Sequence, residues 1–294
     1  MAQTQQRKSR NRRNTGERRV TPIAMPTTPI GPMATIDEDR ERNARWTVAS
    51  AIVSGVILGV LGAIVGLALG LLAALVAGLV IGIGGGIVIH RRAPEVAVRA
   101  IGATPVAPGA LPRVDTVLDG LSATFGVVIP TLAVLDDIVP NACIVATRTG
   151  SVIVVTTGLT ESMTVVELEG VLAHLMAQQR LNAVGRGTTG AGIALLLGPL
   201  GRRGGIAHRL TGSGRLFRAD AIAAVAVRYP LGLRDALNKM ANGPLPQVGS
   251  LFISSRFHVL RWLFVDPSVA LRSREDAFGD LDATSVRCAA LEEW

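Results

Sequence analysis

From Thr47 to Ile89 the chain runs 43 residues without a charged side chain. A single helix of that length would extend roughly 65 Å, about twice the hydrocarbon thickness of a bilayer. Two spans of about 20 residues, turning near Gly66 to Gly70, fit better and predict a two-helix membrane hairpin over residues 46–90. Small residues recur every four positions, at Gly55, Gly59 and Ala63 and then at Gly70, Ala74, Gly78, Gly82 and Gly86. That spacing lays a smooth stripe along each helix and lets the two backbones approach closely. Arg40, Arg42 and Arg45 precede the hairpin and His90, Arg91 and Arg92 follow it. Positive residues on both flanks predict a multi-pass protein of the cell membrane, with its N-terminus and C-terminal part both cytoplasmic.

Beyond the hairpin the pattern changes character. Residues 91–112 contain the Pro/Ala-rich stretch Pro94 to Pro112 and read as a linker. Val114, Val117, Leu118 and Leu121 have helical spacing up to Phe125, and Val127 to Ile129 reads as extended. Two β-rich runs, Ala142 to Thr147 and Val152 to Thr157, flank Arg148-Thr149-Gly150 and predict a hairpin. Thr164, with Glu167 three residues on, is a capping box opening a helix. Thr188 to Leu200 is apolar but too short to span a membrane and carries Gly and Pro. It reads as a buried or interfacial loop, with Arg202 and Arg203 at headgroup level. Helices follow over Leu216 to Arg228, Leu231 to Met240 and Thr284 to Glu292. Residues 113–294 therefore form an α+β cytoplasmic domain, mainly helical with a small β-sheet.

Composition changes this picture at the N-terminus. Residues 1–45 hold ten basic and five acidic side chains of a chain whose formal charge is +8. They are Arg/Gln/Asn-rich, then Thr/Pro-rich, and predict a disordered basic tail, because too little apolar surface is available to offset the ordering entropy. Beside a membrane helix such a tail attracts anionic lipid. Nucleic acid is disfavoured as a partner, since the tail offers no aromatic residues for base stacking. The Arg excess, 28 of the 30 basic residues, carries little functional weight, because a GC-rich genome produces the same bias. Cys143 and Cys288 lack metal-ligand spacing and read as small buried hydrophobes in a reducing compartment.

The chemistry centres on Glu167 to Leu181, ELEGVLAHLMAQQRL. In the zinc-binding motif His-Glu-x-x-His, two imidazoles lie one helical turn apart with the Glu as general base. The five positions here read His174, Leu175, Met176, Ala177, Gln178. Pro140-Asn141-Ala142, the strand and turn Val152 to Glu161, the run Glu167 to His174, Phe217-Arg218-Ala219-Asp220, and Arg287 within the last helix follow in order. Together they resemble the HtpX-type membrane zinc metallopeptidases over roughly residues 113–294.

The resemblance implies a zincin-type domain behind the hairpin. It places the first zinc ligand at His174, the general base at Leu175, the second ligand at Gln178 and the third at Leu216. Asp220 falls where the family uses a carboxylate to orient a ligand. Neither Leu can coordinate or take a proton, and a neutral amide is a poor zinc donor. The expectation is no catalytic residue, no bound metal and no cofactor. A rearranged site of His174, His208 and Asp220 is the remaining route to zinc; His90 and His258 complete the histidines. The function expected is that of a catalytically inactive pseudopeptidase at the membrane, binding a protein partner or membrane-protein client in protein quality control. An active metalloendopeptidase with unconventional zinc ligands is the alternative, and a membrane tether working through its basic tail is the second.

Overall fold

The computed structural model describes residues 34–203, 205–269 and 281–294. The first two helices, α1 (Ala34–Gly66) and α2 (Leu71–Ile101), are joined by a 3₁₀ turn at Leu67–Leu69 and by Gly70 at φ 107°. Both are long and apolar enough to cross a membrane. They run antiparallel, as their backbone contacts show. A Cβ on Gly55 would lie 2.9 Å from the carbonyl of Gly82, and one on Gly59 2.9 Å from that of Gly78. The four-residue stripe is thus the helix–helix contact itself.

Three expectations are corrected. The helix begins at Ala34, so residues 34–45 are ordered and helical, while the rest of the expected basic tail lies outside the described residues. The expected linker starts eleven residues too early, because α2 continues through Pro94 to Ile101. Pro94 cannot donate to the His90 carbonyl, a loss normally large enough to break a helix. Fully buried Ala93 and Ala97 on either side hold the segment against the globular domain. The expected loop at 188–200 is mostly the helix α6 (Ala183–Leu196). Gly190 and Gly192 are contact points: a Cβ on Gly192 would lie 1.8 Å from the carbonyl of Ala93.

The sheet has the order β1-β2-β4-β3, from β1 (Thr104–Pro105), β2 (Thr131–Leu135), β3 (Ala142–Ala146) and β4 (Ser151–Thr156). β2 and β4 are parallel, and the other two pairings are antiparallel. The extended run expected at 127–129 lies just before β2. Alternation along the strands feeds two cores. Leu132, Ala142, Ile144, Ile153 and Val155 face a core built with α3 (Pro112–Phe125), α5 (Val165–Arg180), α8 (Arg215–Ala226), α9 (Leu231–Asn242) and α11 (Thr284–Glu292). Ala133, Cys143, Val145 and Val154 face the other, with Ala97 and Ile101 of α2 and a cluster of Phe252, Phe257 and Phe264. Short helices α4 (Thr157–Ser162), α7 (Ile206–Thr211) and α10 (Phe257–Leu260) complete the domain. Both cysteines are free and buried; burial raises the Cys143 thiol and pushes Cys288 up to about 11.

Candidate functional site

Helix α5 starts where its capping box predicts. The Thr164 hydroxyl accepts from the Glu167 backbone, and the Glu167 carboxylate accepts from the Thr164 backbone at 2.7 Å. The helix then passes through the middle of the molecule, with every side chain from Val171 to Gln178 buried. His174 and Gln178, one turn apart, share a face. Opposite them, α8 begins at Gly214, which is in the left-handed region, φ 73°. The carboxylate of Asp282 caps this helix, accepting backbone N–H groups from Gly214 (2.7 Å), Leu216 (2.9 Å) and Phe217 (3.2 Å). That anchor sets Arg215 and Asp220 toward α5, and α11 adds Arg287.

These side chains form one closed hydrogen-bonded chain. Arg215 donates through one nitrogen to the Trp262 carbonyl and through another to Gln178 Oε1. Gln178 Nε2 lies 2.8 Å from His174 Nε2, and His174 Nδ1 lies 2.6 Å from Asp220 Oδ1. Arg287 donates to both Asp220 oxygens, at 2.9 Å to Oδ1, and to the Val265 carbonyl. A guanidinium has only donors, so Gln178 must turn its oxygen to Arg215 and its NH₂ to His174. His174 Nε2 must then accept, which leaves the ring proton on Nδ1, donated to Asp220. A single proton arrangement satisfies every link, and both ends close on backbone carbonyls.

Charge enforces the same assignment. Burial lowers the His174 pKa; Asp220 works against this, and the positive charges of Arg287 and Arg215 add to it, so the imidazole is neutral. Burial alone would raise Asp220, but Arg287 and His174 outweigh it and hold the carboxylate below its ordinary value. Burial lowers Arg215 to about 10, which leaves it charged at neutral pH.

Zinc does not fit these residues. The imidazole nitrogen that would face a metal already accepts from an amide N–H, and a guanidinium stands directly behind that amide. Leu175 and Leu216, at the expected base and third-ligand positions, are buried and apolar. Among the described residues, no three His, Cys, Asp or Glu side chains are grouped to hold a metal ion. His208 does not join His174; it bonds Asp282 at 2.7 Å and stacks on Trp262 at 4.0 Å. Arg215 is the residue that sequence reasoning missed. The signal was Gln178: an amide buried where an imidazole is expected needs a donor for its oxygen, and Arg215 is adjacent to the third-ligand position.

Two long apolar helices carried on a mainly helical domain with a small mixed sheet support placement at a membrane. A protease homologue named HtpX from Dictyoglomus thermophilum is 28% identical over 191 residues, covering 53% of this chain and 63% of the relative. The HtpX homologue of Dictyoglomus turgidum is 30% identical over 169 residues, 46% of this chain and 56% of that protein. That of Halobacterium salinarum is 33% identical over 103 residues, 35% of this chain and 36% of that protein. The aligned part thus spans less than two thirds of these relatives' length. These similarities support an HtpX-like, membrane-protease relationship. No protein-family profile matches the chain, and no solved structure matches it.

Proposed function

We propose that the chain is a membrane-anchored pseudopeptidase with an HtpX-like, zincin-type domain whose metal site has been replaced by a structural hydrogen-bond network. The observation that carries this reading is the contact of Gln178 Nε2 with His174 Nε2 at 2.8 Å, backed by the Arg215 guanidinium. Without a general base at Leu175 there is no group to activate water, and without ligands at Gln178 and Leu216 no zinc to polarise a peptide carbonyl. What the domain retains is a folded surface next to the bilayer, suited to binding a protein segment or membrane-protein client without cutting it. In this reading the Arg residues on both flanks of the hairpin keep the domain on the cytoplasmic side.

Metal analysis of the purified full chain, together with a casein cleavage assay, tests the proposal. The expected result is substoichiometric zinc and no cleavage. One equivalent of zinc with chelator-sensitive cleavage, abolished by His174→Ala, would overturn it in favour of an active enzyme with unconventional ligands.

A further inference from the structure

Where α2 passes from its apolar to its charged part, a cavity of about 630 Å³ opens between that helix and the turn of the β3–β4 hairpin. His90, Arg91, Glu95, Arg99, Thr147 and Arg148 line it. Three guanidiniums face a single carboxylate, so the Arg and Glu side chains of the lining sum to +2. Glu95 is shared among Arg92, Arg99 and Arg148. Arg91 has no acidic partner among the described residues, and His90 Nδ1 is buried without a hydrogen-bond partner there. An excess of fixed donors around a cavity is the complement of an oxyanion such as phosphate.

A second cavity, of about 650 Å³, continues from the first and shares His90 and Arg91 with it. It is a groove along the crossing of α1 and α2, floored by glycines including Gly59 and Gly82 and walled by side chains such as Ile52 and Ile83. Ile52 and Ile83 are 61% and 59% exposed, with no element of the described residues over them. Between Gly78 and His90 the helix rises about 18 Å, close to the roughly 15 Å depth of one bilayer leaflet. A cationic head and an apolar tail, joined end to end at leaflet length, match one class of ligand.

We propose that these joined cavities bind one anionic phospholipid, its phosphate held by Arg91, Arg148 and His90 and an acyl chain lying in the glycine-floored groove. The site rests on the membrane reading of α1 and α2 and is separate from the His174 network. It is also separate from the basic tail as a source of lipid attraction.

The test uses the full chain reconstituted with phosphatidylglycerol and phosphatidylcholine, with retained lipid read by native mass spectrometry. Wild type should retain phosphatidylglycerol over phosphatidylcholine on the order of tenfold, and R91Q/R148Q should lose that preference. Ile83→Trp, which fills the groove and leaves the cations, should lower phosphatidylglycerol retention too. Inorganic phosphate should fail to displace the lipid at equal concentration. An unchanged preference in R91Q/R148Q would assign lipid binding elsewhere and overturn the proposal. Displacement by inorganic phosphate, with no effect of Ile83→Trp, would identify a soluble-anion site and overturn it as well. Failure of the wild type to float with pure phosphatidylcholine vesicles would instead sink the membrane reading, so the two failures are distinguishable.

Discussion

A fully buried histidine must have both ring nitrogens satisfied, and His174 obtains its partners from Gln178 and Asp220. Its folded-state pKa lies below the ordinary value, so on acidification the unfolded chain takes up the proton first. This contribution to stability is complete above the unfolded value of about 6.5 and is lost as pH falls from there through the folded value. Urea unfolding of the solubilised chain at a series of pH values should show stability declining below about pH 6.5, with a shallower decline in His174→Gln. The Asp220–Arg287 pair calls for a sharper substitution. Arg287→Leu leaves a buried carboxylate unpaired and should cost about 3–5 kcal/mol in the same assay. A loss under 1 kcal/mol would mean that Asp220 does not depend on that guanidinium. At this scale the sequence was half legible. The pairing of His174 with Asp220 followed from the family resemblance, whereas Arg215 did not, because a buried cation announces itself only through the acceptors that three-dimensional packing brings to it.

Helices and strands were readable where their signals are local and unreadable where packing overrides them. The Thr164–Glu167 box and the β3–β4 hairpin lie where cap and turn chemistry puts them, within a residue or two, and the last helix spans the expected Thr284–Glu292. The extension of α2 and the whole of α6 were hidden by Pro94 and by a run of glycines, residues that disfavour helix in isolation. Two substitutions in α6 separate propensity from packing. Gly185 has open space where a Cβ would go, so Gly185→Ala should stabilise the helix by about 0.5–1 kcal/mol. Gly192→Ala gains the same propensity but drives a methyl into the Ala93 backbone, and should destabilise by about 1–3 kcal/mol net. Equal effects of the two, read by thermal unfolding in detergent, would show that the α2–α6 contact is not close.

At the scale of the whole molecule, the hairpin and the domain are fastened together at both ends of the hairpin. Asn43 near the start of α1 donates to the Leu181 carbonyl at 2.9 Å and accepts from Arg186 at 3.2 Å, while Asp39 pairs with Arg218. At the other end, Glu95 of α2 pairs with Arg148 on the β3–β4 turn. In the membrane reading proposed above, a domain that holds both ends sits on one side of the bilayer, and the antiparallel pair would cross and return. In the same proposed reading, the flanking arginines assign that side to the cytoplasm. Cysteine labelling in intact cells and in inverted vesicles checks both points, because the native Cys143 and Cys288 are buried and give little background. Val20→Cys and Ala110→Cys should be protected together in intact cells and should react together in inverted vesicles. Reaction of both in intact cells would keep the hairpin and reverse its orientation. Reaction of one from each side would mean a single span, and the contacts that Asn43 and Glu95 make with one domain could not then exist together.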